Sequence, residues 1–256
     1  MKRFLMLLKL EYNGIFLPMC VIVASMAVLQ LALFARRIRD TEGHASLAYL
    51  VDIGGIPVVS AIGFVSLLAL IAARLVMNYT PSKSIYALLT LPVKRRHVYM
   101  AKLASSLLAG FMLLAAQMAL LLVFNTIAGM RGASVLRWYD YTLEITRRNA
   151  DFYLSMLDSF FLRTIFPPDL FSLLFSAVML GGSVCVMLFG AVIVKAGKWP
   201  FATLWAVSWL ALLFFAFPLT GNPLSFNIVI LVALAACSLT TCIKGAILFE
   251  KGEVAG

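Results

Sequence analysis

Residues 170–194 read LFSLLFSAVMLGGSVCVMLFGAVIV, a run without one charged side chain. A helix rises about 1.5 Å per residue, so this run reaches about 37 Å, enough to cross a hydrocarbon core about 30 Å thick. Working outward, five further apolar runs share its character: Ile15–Ala35, Ile56–Met77, about Leu103–Ile127, the shorter Phe201–Phe217, and Phe226–Ile243. Numbered along the chain they are spans 1 to 6, with residues 170–194 as span 4. The expected fold is an all-α integral membrane protein with six transmembrane helices.

Composition points the same way. Of 256 residues, 63% are hydrophobic and 12% are charged, and mean hydropathy is +1.00. Soluble domains carry about 25% charged residues, and a soluble globule of this length could not cover so much apolar side chain. A soluble enzyme, a disordered chain and a nucleic-acid module are thereby excluded. The formal charge of +10 then reads as an orientation signal. Lys2 and Arg3 look like the start of a secretory leader, but Lys9 and Glu11 interrupt the apolar stretch behind them.

An even number of spans puts both termini on one side. With both inside, all nine lysines and thirteen of the 21 Lys and Arg residues lie inside, which favours cytoplasmic N and C termini. Arg36, Arg37 and Arg39 run against that trend, directly after span 1. Arg74, near the inner end of span 2, can snorkel.

The spans hold few polar groups. Gln30, Gln117 and Asn125 are the notable ones, and Trp205 and Trp209 repeat Phe201 at four-residue spacing in span 5. These five polar and indole side chains are the candidates for lining a path, with ordinary packing as the alternative for the tryptophans. A proton-driven carrier needs ionisable groups along its route. Their scarcity favours a transporter powered by a partner, and no half-and-half repeat is visible. Small residues at four-residue spacing, Ser106 with Gly110 and Ala177 with Gly181 and Cys185, allow close helix packing within the chain or between subunits.

No chemistry-bearing motif emerges. Cys20, Cys185, Cys237 and Cys242 all fall in apolar runs, as small hydrophobes. Gly197-Lys198 is followed by Trp199, and Val192 stands where a phosphate loop needs its first glycine. ATP and Mg would therefore bind a separate polypeptide, and this chain is expected to carry no cofactor, no metal and no catalytic residue. His44 and His97 fall on opposite sides of the membrane under this topology.

Three segments lie outside the spans. Residues 1–13 are amphipathic, with Lys2, Lys9 and Asn13 on one face and leucines over much of the rest. They read as an interfacial helix, the alternative being an extension of span 1. The segment 129–169 is rich in aromatics and arginines. There Phe152, Met156, Phe160 and Phe161 form a helical stripe opposed by Ser155, Asp158 and Ser159, Pro167 and Pro168 end it, and Asp169 can cap span 4. It reads as an outer cap or a substrate contact. The third segment, 80–102, begins Thr80-Pro81, an N-cap followed by a proline suited to the first helical turn. Ile85, Leu88 and Leu89 make one apolar stripe, and Pro92 ends the helix. That stripe must bury itself in lipid or in a groove on a cytoplasmic partner.

The string Tyr86-Ala-Leu-Leu-Thr-Leu-Pro92-Val-Lys-Arg-Arg-His-Val-Tyr-Met-Ala-Lys102 resembles the first cytoplasmic loop of type-2 ABC exporter permeases. In that family a leucine-rich helix is followed by Leu-Pro, a basic residue or two, and a lysine opening the third span. Leu91-Pro92, Arg95 and Lys102 stand at those positions. The resemblance implies one permease domain over residues 1–256, paired with a second permease, identical or homologous, above two ABC ATPase subunits. It also makes 80–102 the coupling loop. Lys83, Ile85, Tyr86, Leu88, Leu89 and Leu91 would dock on the ATPase, flanked by Arg95 and Arg96. It implies a bacterial cytoplasmic membrane. The apolar, uncharged, aromatic-containing spans suit a hydrophobic or amphipathic cargo, where an antimicrobial or other membrane-active peptide, a drug or a lipid would all fit, the peptide foremost. The short loop Pro218–Ser225 departs from better-known members, which place a re-entrant element there. A non-transporting anchor or immunity protein and an intramembrane enzyme are the competing classes.

Overall fold

The computed structural model describes residues 2–40, 46–79, 95–135, 152–195, 200, 205–206, 208–209 and 224–251. Among them the secondary structure is helical throughout: α1 (Lys2–Asp40), α2 (Leu47–Ile53), α3 (Ile56–Tyr79), α4 (Arg95–Val135), α5 (Phe160–Ile165), α6 (Leu170–Lys195) and α7 (Leu224–Lys251). Residues 152–158 add a further helical stretch before α5. Among the described residues, four helices are long and apolar enough to cross a membrane: Phe4–Asp40, Ile56–Leu75, Arg96–Gly129 and Ser172–Val194. Helix α7 covers the sixth expected span, with a described apolar part Val232–Leu248. Most of the fifth, Phe201–Phe217, lies outside the described residues, as does the expected coupling helix.

Spans 2 and 4 begin where the apolar runs begin, at Ile56 and Leu170. Spans 1 and 3 are longer than expected. Lys, Arg, Glu and Ser are adequate helix formers, so the helices continue past the ends of the apolar runs. Residues 1–13 were expected as a separate interfacial element; their described part, 2–13, is instead the first turns of α1, because nothing between Lys2 and Asn13 breaks a helix. Large apolar side chains stand exposed along α1, Leu17 at 75% among them. In a multi-pass protein such faces meet lipid.

The described residues fall into two compact units. The terminal unit comprises Met1–Met19, Ser66–Gly110 and Ala177–Gly256, and the central unit Cys20–Val65 and Phe111–Ser176.

The central unit has a continuous apolar core of Phe34, Ile38, Leu47, Leu50, Val51, Ile56, Leu121, Phe124, Leu162 and Ile165. Phe34 of α1 stacks on Phe124 of α4, with ring centroids 4.2 Å apart. Ser46 caps α2, its hydroxyl accepting from the Tyr49 N–H. The chain turns into α3 at Gly55, whose φ of +75° suits glycine. In the 152–165 segment, Ser155 and Ser159, which oppose the aromatic stripe in the sequence, are themselves buried, while Tyr153, Leu154 and Leu157 are exposed. The helix also breaks at Ser159, which caps α5 by accepting from the Leu162 N–H. Ser159 Oγ donates to Asp52 Oδ1 at 2.7 Å, tying this segment to α2. Phe152, Met156 and Phe161 pack against the core as the stripe implied. Asp169 caps α6 as expected, Oδ1 accepting from the Ser172 N–H at 3.0 Å. Hydrogen bonding to Ser172 holds its carboxyl below the usual range.

In the terminal unit glycines let large rings come close. Gly245 lies against the Tyr99 hydroxyl and Gly182 against the Trp209 ring. Cβ atoms there would collide with these rings.

Replacing Ser159 with alanine removes the α5 cap and the hydrogen bond to the exposed Asp52. The expected cost is about 1–2 kcal/mol, read as a lower midpoint of thermal unfolding in detergent. An unchanged midpoint would mean that the Asp52 contact carries no stability.

Candidate functional site

The path-lining candidates divide between the two units. In the central unit the structure brings together Gln30 of α1 and Gln117 of α4, both buried. Each side-chain amide donates to the other's carbonyl at 3.0 Å. Gln30 Nε2 also donates to Ser60 Oγ at 2.8 Å, and Ser60 Oγ donates to the Ile56 carbonyl. Three helices are thus cross-tied through neutral groups. In an apolar surrounding an unpaired amide is expensive, and reciprocal pairing removes most of that penalty. Asn125 is half-buried on α4 and is not joined to this knot.

The tryptophans belong to the terminal unit. Trp209 is buried, and its Nε1 donates to Ser183 Oγ at 3.2 Å. Trp205 is half-buried and meets Phe189 edge-on, with centroids 6.0 Å apart. Ile193 and Leu248 complete that contact. Of the small-residue pairs, Gly110 packs closely on Leu180, whereas Gly181 has open space where a Cβ would stand.

Lys83, Ile85, Tyr86, Leu88, Leu89 and Leu91 lie outside the described residues. Arg95 opens α4, and Arg96 and His97 follow it, both exposed. The first turn of α4 holds no acidic side chain. Cations there oppose the helix dipole, each by about 0.3–1 kcal/mol at an exposed site. Local helix stability does not explain this basic turn; an anionic partner surface or lipid headgroup would.

Two contacts of the terminal unit escape a reading by sequence. Lys102 Nζ donates to Glu11 Oε1 at 2.7 Å, and their side chains are 5% and 11% exposed. The only hint was a lone acid in an apolar stretch. The second begins with Pro18, inside α1. Proline lacks the N–H that would bond the carbonyl four residues back, and that carbonyl belongs to Gly14. Arg74 of α3 donates to it. Gly14 permits the approach, since a Cβ there would lie 3.2 Å from Arg74 Nη1. The guanidinium of Arg74, whose stem can snorkel, is held by this carbonyl.

Substituting leucine at Gln117 alone is expected to cost about 0.5–2 kcal/mol by leaving Gln30 short of a partner. The double Gln30→Leu, Gln117→Leu variant should recover part of that loss. Strict additivity in a double-mutant cycle of thermal midpoints would show that the pair is not coupled.

No match was found among curated proteins, and none among solved structures. The family described as ABC-2 family transporter protein matches residues 7–180. That stretch holds Glu11, Gly14, Pro18, Gln30, Arg74, Lys102 and Gln117, so the cross-ties described above fall inside the matched region. It is well over half of the 256 residues, and the chain belongs to the ABC-2 transporter family, as a multi-pass membrane permease.

Proposed function

We propose that this permease forms the translocation path of an ATP-driven exporter. It works as a dimer with a second permease, identical or homologous, above two separate ABC ATPase subunits that carry ATP and Mg. The observation that carries the reading is the family match over residues 7–180. The basic first turn of α4 supports it, because Arg95 and Arg96 stand where the dipole disfavours them. Within the expected coupling loop 80–102, the chain ahead of α4 meets the ATPase, with Lys83, Ile85, Tyr86, Leu88, Leu89 and Leu91 as the docking stripe, while Lys102 lies within α4. Both termini are cytoplasmic, in a bacterial cytoplasmic membrane. This assignment keeps the lysines on the inner side.

The cargo is hydrophobic or amphipathic, and a membrane-active peptide fits best. The spans hold almost no ionisable side chain, which suits an uncharged or amphipathic molecule better than a small ion, while Gln30 and Gln117, buried and paired with each other, tie helices together. Asn125, Trp205 and Trp209 are the remaining candidates for contact with it.

A pull-down of the tagged chain from mild detergent tests the assembly. A cassette ATPase is expected with the wild type and its loss with Leu88→Asp, which puts a charge into the docking stripe. Absence of any ATPase from the wild-type eluate would refute the exporter reading. Amphipathic cationic peptides should raise ATP turnover by the purified complex in lipid nanodiscs, and a rate indifferent to every such peptide would refute the cargo class.

A further inference from the structure

Two independent contacts converge on one turn of α1. Glu11 takes Lys102 of α4, and the Gly14 carbonyl takes Arg74 of α3. Glu11 and Gly14 are three residues apart, hence on the same face. Arg74 lies near the end of α3, and Lys102 near the start of α4. The chain that joins these two helices is the loop assigned above to the ATPase.

We infer that Glu11, Gly14, Arg74 and Lys102 form a clamp that makes the first turns of α1 a moving part of the ATP-driven cycle. The clamp rests on the proposed function, since without a docked ATPase nothing would drive it. The physical argument is local. A charge pair this well buried does not separate readily, because either partner left alone would be an unpaired charge in apolar surroundings. The Gly14 carbonyl is held equally firmly, since its helical donor is missing and lipid offers none. A displacement of the adjoining ends of α3 and α4 therefore carries residues 2–17 with it. Pro18 sets the limit of the moving piece. It removes one rung of the helix ladder, so α1 bends there at the least expense. The four residues are positioning residues and make no contact with cargo or nucleotide.

The test follows the first turns of α1 directly. A bimane fluorophore is attached through Met6→Cys, in a background with the four native cysteines replaced. Met6 is 71% exposed, outside the clamp. The labelled permease is copurified with its ATPase and given a non-hydrolysable ATP analogue. The wild-type clamp should give a shift in bimane emission. Glu11→Gln with Lys102→Met, a pair that leaves no buried charge, should lose the shift while still retaining the ATPase. The exchange Glu11→Lys with Lys102→Glu should restore it.

A shift that persists in the neutral pair overturns the clamp and leaves the exporter reading intact. So does a wild-type complex that binds ATPase and shows no shift, and so does a shift lost equally in the exchanged pair. No ATPase in the wild-type preparation removes the exporter reading, and the clamp with it.

Discussion

A backbone carbonyl without a donor is hard to leave alone in apolar surroundings, and the terminal unit is organised around one. Pro18 denies the Gly14 carbonyl its helical partner. A long cationic side chain from another helix supplies the missing hydrogen, and a glycine eases its approach. Arg74 and Gly14 meet both conditions. The same rule recurs at gentler strength elsewhere. Lys102 is buried because Glu11 neutralises it, and Gln30 and Gln117 are buried because each satisfies the other. Ser105 and Ser106 both return their hydroxyls to the Lys102 carbonyl. In a chain so poor in charge, the polar groups that remain do the work of registering one helix on another. The apolar surfaces are too uniform to select a register alone.

How much of this was legible depends on the range of the interaction. Runs of apolar residues mark spans 2 and 4 at their starts, because burial in lipid is a one-dimensional property of the chain. The ends of spans 1 and 3 were missed for the opposite reason. Hydrophobicity marks the hydrocarbon boundary, whereas the helix stops where hydrogen bonding fails, and those points differ by a dozen residues at Lys2. Asp169 was readable as a cap because its partner lies three residues away. Ser159 was readable as polar but not as inward, since its partner Asp52 lies 107 residues away. Gln30 and Gln117 were each conspicuous alone; nothing in the sequence joined them across 87 positions.

The functional reading combines two kinds of legibility. The ABC-2 family match covers the first three long helices and the first turns of the fourth, and it makes the chain a membrane subunit of a transporter. The residues around Leu91-Pro92 carry the resemblance on which the proposed ATPase contact rests. The clamp adds a mechanical element to that scheme. The first turns of α1, expected as a separate helix resting on the membrane, are continuous with span 1 and fastened to two neighbouring helices. They are a structural participant, with Glu11 as the buried tooth.

The proline and the arginine also constrain how this sequence can drift. Exchange of Pro18 for alanine restores a local N–H to Gly14, and the half-buried Arg74 guanidinium must then share its acceptor. Exchange of Arg74 for leucine orphans the carbonyl. Either change alone is a loss, whereas both together yield an ordinary unbroken helix. Relatives should therefore carry the proline and the arginine together or lack them together, and the position of Gly14 should be free to acquire a side chain only in lineages that have lost both.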